Sequence, residues 1–172
     1  MPASPDLPAV SPKRFLGLAR AALLLVGVGV FCYGIYVGAT MPEPPPDSDG
    51  VPTGFAVVFV LLAQSIGAGL AQIGYALPAG NGLLRFGPLV DRPPVVRAAA
   101  ATVVFVGGGA LLTGLGWVLP DSLPEVVSGT YAFAWFGAAV GSITGVVLTA
   151  VLAVGTALWR LMRDETVLGG DG

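Results

Sequence analysis

Charged residues vanish from four long stretches of this chain, 21–42, 50–84, 98–120 and 126–159, and gather in the segments between them. Each stretch exceeds the roughly 20 apolar residues with which an α-helix crosses the hydrocarbon core of a bilayer. Pro78 closes the second stretch, since proline cannot continue a helix. The pattern predicts an all-α polytopic membrane protein whose four transmembrane helices cover about 16–40, 54–78, 98–119 and 130–159. The whole of 1–172 is then a single transmembrane domain. Tyr33, Tyr36, Trp117, Tyr131 and Trp135 fall near one set of helix ends and Trp159 near the other. That is where an interfacial aromatic belt belongs.

Charge orients the spans. All eight basic residues, Lys13, Arg14, Arg20, Arg85, Arg92, Arg97, Arg160 and Arg163, flank apolar stretches on one side. The other side carries Glu43, Asp47, Asp49, Asp121 and Glu125 with no basic residue. Segments of one set sum to +3 and those of the other to −5, which accounts for the net charge of −2. By the positive-inside rule the bundle is up-down, multi-pass in the cell membrane, with both termini cytoplasmic. A basic leader with Val37 and Ala39 near its end also fits a cleaved signal. The apolar core of the first span is longer than the ~7–15 residues of such a signal, so an uncleaved span is expected.

The connections follow from composition. Residues 1–14 and 161–172 are expected as mobile cytoplasmic tails. The outer loop 41–52 is an acidic spacer, stiffened where Pro44, Pro45 and Pro46 adjoin. The inner loop 79–97 mixes turn formers with apolar residues and should lie along the headgroups, Arg85 and Arg92 reaching phosphates.

Inside the bundle, small residues carry the packing. Lipid-immersed helices gain little hydrophobic energy from each other, so close backbone approach matters more. Gly137, Gly141, Gly145, Thr149, Ala153 and Ala157 form a four-residue stripe on the fourth span, and Gly34 and Gly38 a shorter one on the first. With Gly67 these are the expected helix-packing residues, and they serve equally as seams within or between chains. Gly27, Gly29 and Gly34 match Gly107, Gly109 and Gly114 at a constant offset of 80, but the second and fourth spans match too little for a repeat. The strongly polar side chains within the spans are Gln64 and Gln72, on one stripe with Ala68 and Ala76. An unpaired amide in hydrocarbon costs several kcal/mol, so both should face the bundle, with Thr144, Thr149, Ser142, Thr113 or Tyr33 as partners. They either bond helices together or line a polar intramembrane site.

Composition also excludes chemistry. There is no histidine, which removes the commonest general base and metal ligand. The single cysteine, Cys32, can form neither an internal disulfide nor a cysteine cluster and is expected as a buried, inert thiol. No carboxylate, lysine or arginine falls in the middle of a span, so the usual mark of a proton relay or ion coupling is missing. Catalytic residues, cofactor and metal are therefore all expected to be none, and no nucleic acid is expected as a partner.

Ala/Val/Gly-rich spans, acidic segments such as PEPPPDSDG, one lysine against seven arginines and the tail RDETVLGGDG resemble small, uncharacterised four-span membrane proteins of halophilic archaea. The likeness is compositional and implies no activity. The expected function is that of a noncatalytic helical-bundle accessory or interaction protein, its partners the lipid bilayer and a membrane protein or further copies of itself. The alternative is a small channel or transporter component with Gln64 and Gln72 lining its polar site.

Overall fold

The computed structural model describes residues 11–42, 51–78, 87–119 and 123–168, with the side chains of 51–53 and 164–168 excepted. Prolines set several helix boundaries. α1 spans Pro12–Ala39, with Pro12 in the first turn, where its missing N–H has no intrahelical acceptor to lose. α2 covers Val51–Ala76 and stops two residues before Pro78. α3 runs Pro94–Gly116 behind Pro93. α4 runs Glu125–Leu168, 44 residues or about 66 Å. All four are long and apolar enough to cross a membrane.

α2 and α4 each pack against the three other helices, whereas α1 and α3 share no close backbone approach among the described residues. Across that gap the rings of Phe31 and Phe105 meet edge to face, centroids 5.6 Å apart. Along α1 and α2, Gly34 faces Val60 and Gln64, Gly27 faces Gly67 and Ala71, and Leu24 faces Gly74. Contacts thus advance on one helix as they recede on the other. Here the backbones themselves touch: a Cβ on Gly67 would lie 2.8 Å from the Gly27 carbonyl oxygen and 2.9 Å from Phe31 Cα.

Polarity inside and outside is reversed relative to a water-soluble bundle. The buried apolar residues are Val60, Ala68, Ala76, Ala98 and Ala138, whereas the largest fully buried side chains are Arg20, Gln64 and Gln72. Phe55, Phe59, Val103, Val104, Leu111 and Val151 point outward. Hydrocarbon is as apolar as leucine, so nothing drives large aliphatic groups inward, and the interior is left to glycine, alanine and polar groups that cannot face lipid.

Several local expectations need revision. Helix replaces the expected tail over 12–14 and 161–168, because nothing in Leu161–Leu168 interrupts α4 before Gly169 and Gly170. Residues 1–10, Pro44–Pro46 and Arg85 lie outside the described residues. Cys32 is exposed rather than buried. It stands two residues from Gly34, about 200° around the helix from the face that packs. Arg20 and Arg97, expected at the flanks, are 0 % and 3 % exposed. Arg20 lies seven and fourteen residues before Gly27 and Gly34, on the heptad face that packs inward.

Candidate functional site

The polar interior has two centres. In the first, Gln64 Nε2 donates to the Phe133 carbonyl at 2.9 Å and Gln72 Nε2 to the Gly141 carbonyl at 2.8 Å. Both bonds join residues 69 apart, so a shared register locks α2 against α4. The acceptors are backbone oxygens rather than the hydroxyls anticipated from sequence. Each such carbonyl already sits in the helix ladder and offers its second lone pair. Access comes from the residue four positions on, which would otherwise cover it. Those residues are Gly137 and Gly145, where a Cβ would lie 3.2 Å from Gln64 Nε2 and 2.6 Å from Gln72 Oε1.

The expected packing glycines all meet neighbours within the chain. A Cβ on Gly34 would strike Gln64 Cγ, one on Gly38 the Phe133 ring, and one on Gly137 the Phe31 ring. Gly141 seats the Phe105 ring, and Gly145 seats Thr102 together with Gln72. The stripe on α4 therefore receives side chains from all three other helices: α1 and α2 at Gly137, α3 at Gly141, and α2 and α3 at Gly145. Thr102 donates to Ala98 O at 2.9 Å and stands 3.4 Å from the Thr149 hydroxyl. Gly107 and Gly114, by contrast, have open space where Gly27 and Gly34 have close neighbours. Positions matched at the offset of 80 thus do different work.

Gln64 and Gln72 do not converge on a common cavity. They stand about 12 Å apart along α2, and of the two only Gln72 borders a groove among the described cavities. Gln64 Oε1 and Gln72 Oε1 have no hydrogen-bond partner among the described residues.

The second centre surrounds the C-terminal end of α2. The last carbonyls of a helix lack intrahelical donors and need others, most of all away from water. Arg97 supplies one: its Nη1 donates to Leu77 O at 2.6 Å. Arg20 places its guanidinium 5.7 Å from the Tyr75 ring centroid, a cation–π distance. The Tyr75 hydroxyl donates to Pro88 O, which ties the segment 87–92 to the bundle. Gly87 at φ 97° and Leu89 at φ 63° shape that segment. The heptad placement of Arg20 with Gly27 and Gly34 is the sequence signal that would have found this centre.

Between these centres lies a groove of about 390 Å³ between α1 and α3, below the Phe31–Phe105 contact. Leu24, Val28, Ala101, Val104 and Tyr75 line it, and Leu89 closes its end. A second, aromatic cleft of about 590 Å³ lies between α3 and α4, lined by Trp117, Tyr131 and Trp135. There Trp135 Nε1 donates to Thr113 Oγ1 at 2.9 Å and Tyr131 OH to Leu112 O at 2.7 Å, so the polar edges of both rings serve the bundle. Among the described residues no group of three or more metal-ligating side chains converges.

Comparison with protein-family models, with curated proteins and with solved structures finds no match for this chain.

Proposed function

We propose that this chain is a noncatalytic accessory or interaction protein of the cell membrane, a rigid four-helix bundle that presents its outer faces to a membrane-protein partner or to further copies of itself. The observation that carries this reading is the use made of the buried amides. Gln64 and Gln72 are spent on α4 carbonyls, and the glycines around them hold the helices at backbone contact. Such an interior serves to fix four helices in one arrangement. The lateral surface remains for recognition, and on α3 Gly107 and Gly114 offer open, flat positions of the kind that let a second helix approach closely. The contact order along the helices and the placement of the arginines support an up-down bundle with both termini cytoplasmic.

Native mass spectrometry of the protein, extracted gently at natural abundance, tests the proposal. A stoichiometric second protein or a defined homo-oligomer is the expected result, and a bare monomer overturns it. The alternative of a channel or transporter component draws its support from Gln72, which borders the α1–α3 groove with Oε1 unpartnered among the described residues. It predicts flux in proteoliposomes that disappears when Gln64 and Gln72 are both replaced by leucine.

A further inference from the structure

The α1–α3 groove does not end blindly. Leu89, which closes its inner end, also lines a crevice of about 490 Å³ formed with Val90, Asp91 and Arg92. The groove is walled almost wholly by aliphatic and aromatic side chains, while the crevice carries charged groups. An apolar channel and a charged one thus meet at a single residue. That residue is held in an unusual conformation: Leu89 has φ 63°, a left-handed backbone that costs a non-glycine residue about 1 kcal/mol or more. The turn is stabilised by the Arg92 N–H donating to Leu89 O at 2.9 Å, and by the Tyr75 hydroxyl on Pro88 O.

From this juxtaposition we propose that the groove and crevice form a binding site for one anionic phospholipid, with an apolar chain between α1 and α3 and the phosphate on Arg92. Three observations commit the site to that occupant. The groove opens sideways, where Val28 and Val104 are 52 % and 73 % exposed, so in a chain with four membrane-crossing helices it faces lipid tails. Its volume falls in the ~300–1,000 Å³ class of ligand clefts. The crevice at its mouth carries one exposed cation, Arg92, beside Asp91, while Arg20 and Arg97 are buried at the end of α2 and serve the bundle. An arginine fork matches a phosphate better than a point charge does. A free phosphate would leave the groove unfilled, and a zwitterionic lipid would bring its own cation up to the arginine, whereas an anionic phospholipid supplies both tail and uncompensated phosphate.

The proposal stands apart from the accessory role, because it concerns a different ligand and is read by retained lipid rather than by a retained protein. The test is native mass spectrometry of the full chain released from nanodiscs of equal parts phosphatidylglycerol and phosphatidylcholine. One phosphatidylglycerol per chain is expected, retained about tenfold over phosphatidylcholine. Ala101→Phe, which fills the groove, and Arg92→Gln, which removes the exposed cation, should each erase that preference. Gly155→Ala, at an open position of α4, should leave it intact. Arg92→Gln lies outside the helices, so the test survives if the groove variant fails to fold. Equal retention of both lipids, retention of inorganic phosphate without lipid, or a preference unchanged in both variants overturns the proposal.

Discussion

At the scale of single residues, glycine decides by what faces it. Gly67 lies against backbone, which cannot rotate out of the way as a side chain can. Adding one methyl there must push α1 and α2 apart, at the ~1–3 kcal/mol typical of overpacking. Gly107 meets nothing within 4 Å. There alanine brings only its better helix propensity, up to about 1 kcal/mol. Gly67→Ala should therefore lower stability and Gly107→Ala should leave it equal or higher, read by reversible unfolding in mixed micelles. Both are glycines in the middle of apolar spans, so their opposite roles were not legible in sequence; the spacing of a face is visible, but not which face meets a neighbour. Arg97 poses a different problem. Its Nη1 serves the half-buried Leu77 O, and losing a hydrogen bond of this kind costs about 1 kcal/mol or somewhat more. Arg97→Leu should destabilise by that amount in the same assay, and Arg97→Lys should recover part of it through a single ammonium donor.

At the scale of helices, the charge-free stretches foretold the four elements because one physical requirement, covering the hydrocarbon core, governs them all. The inward position of Gln64 and Gln72 was legible for a related reason: an amide has nowhere else to go in lipid. Their acceptors were not, since backbone carbonyls are present at every position and only Gly137 and Gly145 uncover the two used. Arg20 escaped notice because a cation near a span end ordinarily reaches for the headgroups, and the face of the Tyr75 ring supplies a competing use for it. The α3–α4 pairing admits a direct check. A Cβ on Gly109 would stand 3.5 Å from Ala138 Cβ, at the short edge of the ~3.5–4.5 Å that a disulfide spans. Gly109→Cys with Ala138→Cys, in a Cys32→Ser background, should close to an intramolecular disulfide under mild oxidant. Gly108→Cys with Ala138→Cys should not, because Gly108 faces open space. The reverse outcome, seen as a gel shift on reduction, would place α3 in another rotation.

At the scale of the molecule, helix contacts bring together at one end several of the basic residues on which the charge argument rests. Contacts place the N-terminal part of α1 beside the C-terminal end of α2, where Gly74 meets Leu24, and Arg97 of α3 joins them at Leu77. Lys13, Arg14, Arg20, Arg92 and Arg97 thereby gather at one end of the bundle, although they come from two separate segments of the chain. Anionic lipids of the cytoplasmic leaflet attract juxtamembrane cations by about 1 kcal/mol each, so the exposed members Lys13, Arg14 and Arg92 bias insertion in one direction. The two ends of α1 offer reporters, Ser11 before its first turn and Thr40 after its last, both exposed. In the Cys32→Ser background, Thr40→Cys should react with a membrane-impermeant thiol reagent applied to intact cells. Ser11→Cys should react only after the membrane is permeabilised. Inverted labelling would mean that the arginine cluster faces outward and that the lipid site belongs to the other leaflet. Labelling of both without permeabilisation would remove α1 from the membrane altogether.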